Sequence, residues 1–201
     1  MKTLLHVGCG SFDKSYLKGF DNDEWEEIRL DIDKNVNPDI VGSLTDMSSV
    51  KSSSIDAIHS AFNIDHIHPY EVPIALKEFY RVLKNDGFVV VRCPDIQSIC
   101  VAIAEDKLLD TLYDSPSGPI APIDIIFGNR KEISEGNKFM AKKGGFTYSF
   151  LDTVFFESGF KTRVGGKRPE VWELILVAFK QEKSNKEIQE VAIPFIPSPK
   201  Y

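Results

Sequence analysis

The chain has 201 residues, 42% of them hydrophobic and 27% charged, with a formal net charge of −6. That length suits one domain with a substantial core, and the acidic balance argues against a dedicated nucleic-acid binder, whose domain is usually basic. No apolar stretch is long enough to span a bilayer, the opening Met1-Lys2-Thr3-Leu4-Leu5 breaks too soon at His6 and Gly8 to be a signal peptide, and three cysteines without paired spacing (Cys9, Cys93, Cys100) fit reduced thiols in a cytoplasm.

Leu4–Val7 reads as a short apolar strand that runs directly into Gly8-Cys9-Gly10. A strand followed by Gly-x-Gly is the layout that lets a backbone approach a nucleotide-like ligand where a Cβ would clash. Ser15–Phe20 is expected to be a short helix, and Ile28–Ile32 a second strand with an acidic end at Asp31. The separation of Gly10 and Asp31 is close to the roughly 20 residues that place a carboxylate on a ribose hydroxyl. Pro38–Gly42 reads as a short third strand and Ile55–Phe62 as a fourth. Glu71–Lys84 places Val72, Ala75, Leu76, Phe79, Val82 and Leu83 at helical spacing, with Asn85-Asp86-Gly87 as the expected stop. Phe88–Cys93, with three consecutive valines, reads as a central parallel strand buried on both faces.

Ile96–Tyr113 reads as a helix, and Asp114–Gly145 as a long irregular stretch, which in a compact domain is usually a lid or a disordered segment. Ser149–Ser158 is a further helix ended by Gly159. Phe160–Val164 and Val171–Phe179 are expected to pair as an antiparallel hairpin through the loop Gly165–Pro169. The fold class that follows is α/β, a Rossmann-like doubly wound sheet of seven strands, mostly parallel with an antiparallel C-terminal strand. The expected organisation is one domain over residues 1–180, with 114–145 as a lid or substrate insertion and 181–201 as a tail.

Four segments resemble the class I S-adenosylmethionine (SAM) methyltransferases, in particular small bacterial ones met in sugar and cell-surface contexts. They are His6–Ser11, Leu30–Asp33, Asp39–Met47, and the block from Ile55 to Gly87 that carries Glu78-Phe79-Tyr80-Arg81-Val82-Leu83-Lys84-Asn85-Asp86-Gly87. Two positions depart from the family pattern. Phe12 stands where a third glycine is common, and Ile64-Asp65-His66 replaces a Leu-Glu-His phrase. The first departure is expected to reduce room beside the cofactor.

The resemblance implies SAM as cofactor and a small-molecule methyl acceptor, a sugar or nucleotide-sugar. It assigns Gly8, Cys9 and Gly10 to the cofactor turn, Asp31 and Ile32 to the ribose end, Ser43, Leu44 and Asp46 to the adenine side, and Ala61 and Phe62 to the end of the fourth strand. Asp33 rivals Asp31 for the hydroxyls, Leu44 is equally a core residue, and Cys9 reads equally as a small filler. His66 has the chemistry of a general base; the competing reading is that it caps or packs the next helix. Asp65, His66 and His68 lack a further clustered ligand, so no metal is expected. Lys142, Lys143, Lys161, Arg163, Lys167 and Arg168 either hold an anionic part of the substrate or form a solvated face. The apolar tail near Phe195 either covers the domain's own surface or forms a homodimer contact. Two other functions stay open at this level: a SAM-binding regulator or scaffold without catalysis, and an NAD(P)-dependent oxidoreductase, although Asp13 stands where its fingerprint wants glycine.

Overall fold

The structure, a computed structural model, describes residues 1–115 and 118–196. Residues 116–117 of the expected insertion and 197–201 of the tail lie outside that range. The seven-stranded sheet has the order β3-β2-β1-β4-β5-β9-β8. Its strands are β1 (Lys2–Val7), β2 (Trp25–Asp31), β3 (Ile40–Val41), β4 (Ile55–Ala61), β5 (Leu83–Pro94), β8 (Thr162–Arg168) and β9 (Glu173–Phe179). The first five are parallel; β9 runs antiparallel to β5 and to β8. The chain reverses its order of laying down strands between β1 and β4, so their carboxyl ends flank a crevice at the switch point.

Alternation along β5 divides the core. Val89, Val91 and Cys93 face one layer with α1 (Val72–Val82) and α5 (Tyr148–Glu157), where Leu76, Phe79, Leu151 and Phe155 are buried. Phe88 and Val90 face the other layer with Phe20, Trp25 and α6 (Asn185–Ala192). The tail thus closes the domain's own second face. Phe195 lies against Phe20, with ring centroids 4.8 Å apart, and a Cβ on Gly19 (φ +91°) would stand 2.6 Å from the Phe195 ring.

Several expected elements differ. Ser15–Phe20 is not a helix but one 3-10 turn, Lys14–Tyr16, capped by Asp13; Gly19 in the left-handed region ends any continuation. α1 stops at Val82, before Asn85-Asp86-Gly87. Its last carbonyls on Arg81 and Val82 are taken by the Ser53 and Ser54 N–H groups, and Leu83 is drawn extended to pair with Ile55. α2 (Ile96–Ala104) ends well short of Tyr113 because Asp106 turns left-handed at φ +62°. The segment expected to be irregular carries order: a β6 (Tyr113–Ser115) and β7 (Gly118–Ile120) ladder, then α3 (Pro122–Phe127) and α4 (Arg130–Ser134). Gly165-Gly166 belongs to β8 rather than to a loop, since a Cβ on Gly165 would meet the Ile175 carbonyl oxygen at 2.1 Å.

Behind the sheet's switch point, the buried rings of His6 and His59 meet edge to face at 5.3 Å, and His6 Nδ1 bonds Glu27 at 2.9 Å. Burial above all, then the neighbouring His6 and Arg92 charges, pushes His59 down from 6.5 to about 3. His6 is lowered too, by burial, with Glu27 opposing. The unfolded chain therefore binds protons first, and the stability held by neutral His59 is complete above pH 6.5 and lost as pH falls toward 3. Denaturant titrations are expected to show a loss on the order of 3 kcal/mol between neutrality and about pH 4.5, flattened in His59→Phe. A pH-independent midpoint would contradict the assignment.

Candidate active site

Three strand ends build the site. After β1, the Gly8 N–H donates to the Leu30 carbonyl at 2.8 Å, which ties the turn to β2. Gly8 and Gly10 both sit left-handed, at φ +66° and +54°. From the end of β2, Asp31 accepts the Gly10 N–H at 2.8 Å with one oxygen and the Asp33 N–H at 2.8 Å with the other. A carboxylate offers about four acceptor positions, so two remain for a ligand. Asp33 instead caps its own 3-10 turn by accepting the Asn35 N–H.

Arg29 buckles the turn from outside. Its Nη2 donates to the Gly10 carbonyl at 2.8 Å, Nε to Phe12 at 3.1 Å and Nη1 to Asn37 at 3.0 Å. From β4, Asn63 does the same from inside: its Nδ2 donates to the Val7 carbonyl at 2.6 Å and its Oδ1 accepts the Ser60 hydroxyl. Between these, Phe62 is held left-handed at φ +55°, a conformation that costs a non-glycine residue about 1–3 kcal/mol and persists only where its surroundings impose it.

The three ends enclose a cavity of about 380 Å³, within the range of small-molecule sites. Gly8, Gly10, Asp31, Ile32, Ser43, Leu44, Phe62 and His66 all line it. Cys9, Asp46 and Ala61 are not among its lining residues. Cys9 is buried behind the turn, and burial lifts its thiol to about 11, which disfavours the thiolate. Asp46 accepts the Ser48 N–H and faces a shallow groove with Lys77 and Arg81. Phe12 does not crowd the cavity; its ring packs on Tyr16 at 5.3 Å. Among the described residues no group of metal-ligating side chains forms.

The far wall comes from the insertion. Asn137, Lys138, Phe139, Met140, Ala141 and Lys143 line the cavity opposite the glycine turn's strand ends. They are fastened to the segment after β4: Lys142 Nζ lies 2.6 Å from the buried Asp65 carboxylate, and the Lys143 and Gly144 N–H groups donate to the Asp65 carbonyl at 2.9 and 3.1 Å. His66 Nδ1 meets the Ala141 carbonyl oxygen at 3.2 Å. His66 therefore braces this wall rather than capping α1, and a tautomer protonated on Nδ1 leaves Nε2 as an acceptor.

Lys142→Met would strand a buried carboxylate and is expected to destabilise the protein by about 3–5 kcal/mol. Hydrogen exchange should accelerate first in 137–144; uniform protection in the variant would refute the clamp.

Sequence reasoning missed Arg29 and Asn63 as site builders, and Lys142, read as a substrate-anion contact or a solvated lysine, is instead buried against Asp65. The signals were a polar residue inside strand two and one just past strand four, but the partners of Arg29 lie in two separate turns and Asn63 reaches across to Val7 at the end of β1.

Residues 5–91 match the family described as a methyltransferase domain. That match spans under half of the chain; together with the sheet order it gives the chain the fold of the class I methyltransferases. A protein of Pyrococcus horikoshii is similar at TM-score 0.60 and 16% identity, over 89% of this chain and 82% of that one. A SAM-dependent methyltransferase of Thermotoga maritima is similar at TM-score 0.54 and 15% identity, over 90% and 83%. The 1,6-didemethyltoxoflavin-N1-methyltransferase of Burkholderia thailandensis, whose structure holds S-adenosylhomocysteine, is similar at TM-score 0.54 and 12% identity, over 90% and 71%. No curated protein matches the sequence. No helix among the described residues is long and apolar enough to cross a membrane.

Proposed function

We propose that the protein transfers the methyl group of SAM to a small-molecule acceptor, a sugar or nucleotide-sugar, presented beside Phe62 and His66. The observation that carries this reading is the convergence of the Asp31 carboxylate, the left-handed Gly8 and Gly10, and the end of β4 on one cavity. The residues suit the cofactor. A Cβ built on Gly10 meets nothing nearer than Phe12 at 4.0 Å, so its face is open to a ligand, and Asp31 keeps acceptor capacity for two hydroxyls. Asp31, Asp33 and Glu71 set carboxylates along a cavity that also holds Lys138 and Lys143, a mixture that suits a ligand carrying both cationic groups and a carboxylate.

When bound, SAM supplies a methyl group on a sulfonium, which is already an activated leaving group. The protein's task is then alignment and water exclusion, for which effective molarities of about 10⁵ M or more are known. Phe62 and the wall from Asn137 to Lys143 exclude water. His66 accepts a proton through Nε2 where the acceptor is a hydroxyl.

Calorimetry with S-adenosylhomocysteine and with NAD, followed by transfer from labelled SAM to a metabolite extract, tests the reading. Binding of the first ligand alone and a labelled small-molecule product are expected. Binding of NAD alone would replace it with a hydride-transfer function, and binding without any labelled product would favour a non-catalytic SAM sensor.

A further inference from the structure

Beyond the cofactor cavity, cations gather where β5 ends and the β8–β9 hairpin turns. Arg92 follows β4 in register, opposite Ala61, and its guanidinium lies 5.5 Å from the centre of the Phe62 ring, which lines the cofactor cavity. Both Arg92 and Arg168 converge on one carboxylate, Glu173, which is only 1% exposed. Arg92 engages it through Nε and through Nη2 at 3.0 Å, and Arg168 through Nη1 at 3.1 Å. Lys167 stands 3.2 Å from Asp95, itself 1% exposed, and bonds the neutral Gln97.

Three cations thus face two buried carboxylates. The remaining acid, Glu170, is half exposed and stays 3.7 Å from Arg168 Nε, which has no hydrogen-bond partner. Among the described residues Arg92 Nη1 and Arg168 Nη2 make no hydrogen bond either, whereas Glu173 holds both guanidinium groups. A pair of guanidinium groups fixed by a shared buried acid, with donors left over, is preorganised for a second, exchangeable oxyanion.

We propose that Arg92 and Arg168 form the acceptor's anion subsite, and hence that the methyl acceptor carries a phosphate or carboxylate held beside Phe62. This rests on the methyl-transfer reading for the word acceptor, while the anion site itself stands independently of it. The Glu173 carboxylate ties Arg168 to Arg92, and Arg92 carries the pair against the Phe62 ring, so the subsite fixes the acceptor's orientation rather than its reactivity.

The test uses inorganic phosphate as probe on the full chain, with and without saturating S-adenosylhomocysteine, against chloride at equal ionic strength. Saturable binding at millimolar phosphate is expected, weakened at least tenfold in Arg168→Gln, with affinity for S-adenosylhomocysteine unchanged. Arg168→Gln keeps the Arg92–Glu173 pair and so preserves the fold; Lys167→Gln, which changes charge without removing a guanidinium from Glu173, serves as the control and should lose much less. Absence of saturable phosphate binding, or equal binding in wild type and Arg168→Gln, overturns the subsite. Phosphate binding that depends on Arg168 in a protein that ignores S-adenosylhomocysteine would uphold the anion site and remove the methyl-transfer reading.

Discussion

Replacing Asp31 by alanine is expected to weaken S-adenosylhomocysteine binding by about 1–3 kcal/mol, roughly 5- to 150-fold in Kd. The side chain does two jobs. It holds the turn by accepting the Gly10 and Asp33 N–H groups, and it keeps acceptor positions for ligand hydroxyls. Asp31 is only partly buried and lines the open cavity, so water can reach the freed N–H groups and the loss should fall mainly on binding rather than on folding. Asn at the same position keeps one acceptor oxygen and should recover part of the affinity. Calorimetry decides the matter, and an unchanged Kd in Asp31→Ala would remove the carboxylate from the cofactor site.

Gly8→Ala should be more damaging, and to the fold as well as to binding. A Cβ there would lie 2.2 Å from Asn63 Nδ2, 2.7 Å from its Cγ and 2.8 Å from its Cβ, and the backbone sits at φ +66°. Asn63 cannot step aside cheaply, because it is bonded to the Val7 carbonyl and to Ser60. Displacing it breaks both bonds and leaves a buried carbonyl unpaired, at about 1–3 kcal/mol on top of about 1 kcal/mol or more of backbone strain. The expected total is about 3 kcal/mol of lost stability and no measurable cofactor binding. The double variant Gly8→Ala/Asn63→Ala should be less unstable than the sum of the single variants, since the second change removes the two nearest clashing atoms, Nδ2 and Cγ, and leaves only the Cβ contact at 2.8 Å. Simple additivity in denaturant titrations would show that steric conflict is not the cause.

Much of the sheet was legible in the chain. Leu4–Val7, Ile55–Phe62 and Phe88–Cys93 are apolar runs closed by turn residues, and buried parallel strands have no other local signature. The antiparallel end was legible for the same reason in Val171–Phe179. Helix ends were not. α1 was expected to run to Asn85-Asp86-Gly87, but its terminal carbonyls find donors on Ser53 and Ser54, and sheet pairing outweighs the local stop signal at Leu83. The low periodicity of Asp114–Gly145 hid a small ladder and two short helices, because elements this short carry too few residues to display a period.

The candidate site divides in the same way. Gly8, Gly10 and Asp31 could be singled out from spacing, since a tight turn and an acidic strand end are local properties of the backbone. Cys9 and Asp46 lie in the right segments, yet their side chains go elsewhere, one into the core and one toward Ser48. Alternation along a strand can be read from sequence; the rotation of a loop residue cannot.

The sequence by itself determined the strands, the bend after the first of them and the acid at the close of the second, because sterics and hydrophobic period act between near neighbours. Only the tertiary structure decided that Lys142 would meet Asp65, that Arg29 and Asn63 would grip one turn from opposite sides, and that Arg92 and Arg168 would share Glu173. All of these except Arg168 with Glu173 join residues distant in the chain, and charged or amide groups choose their partners by which of them burial brings within about 3 Å.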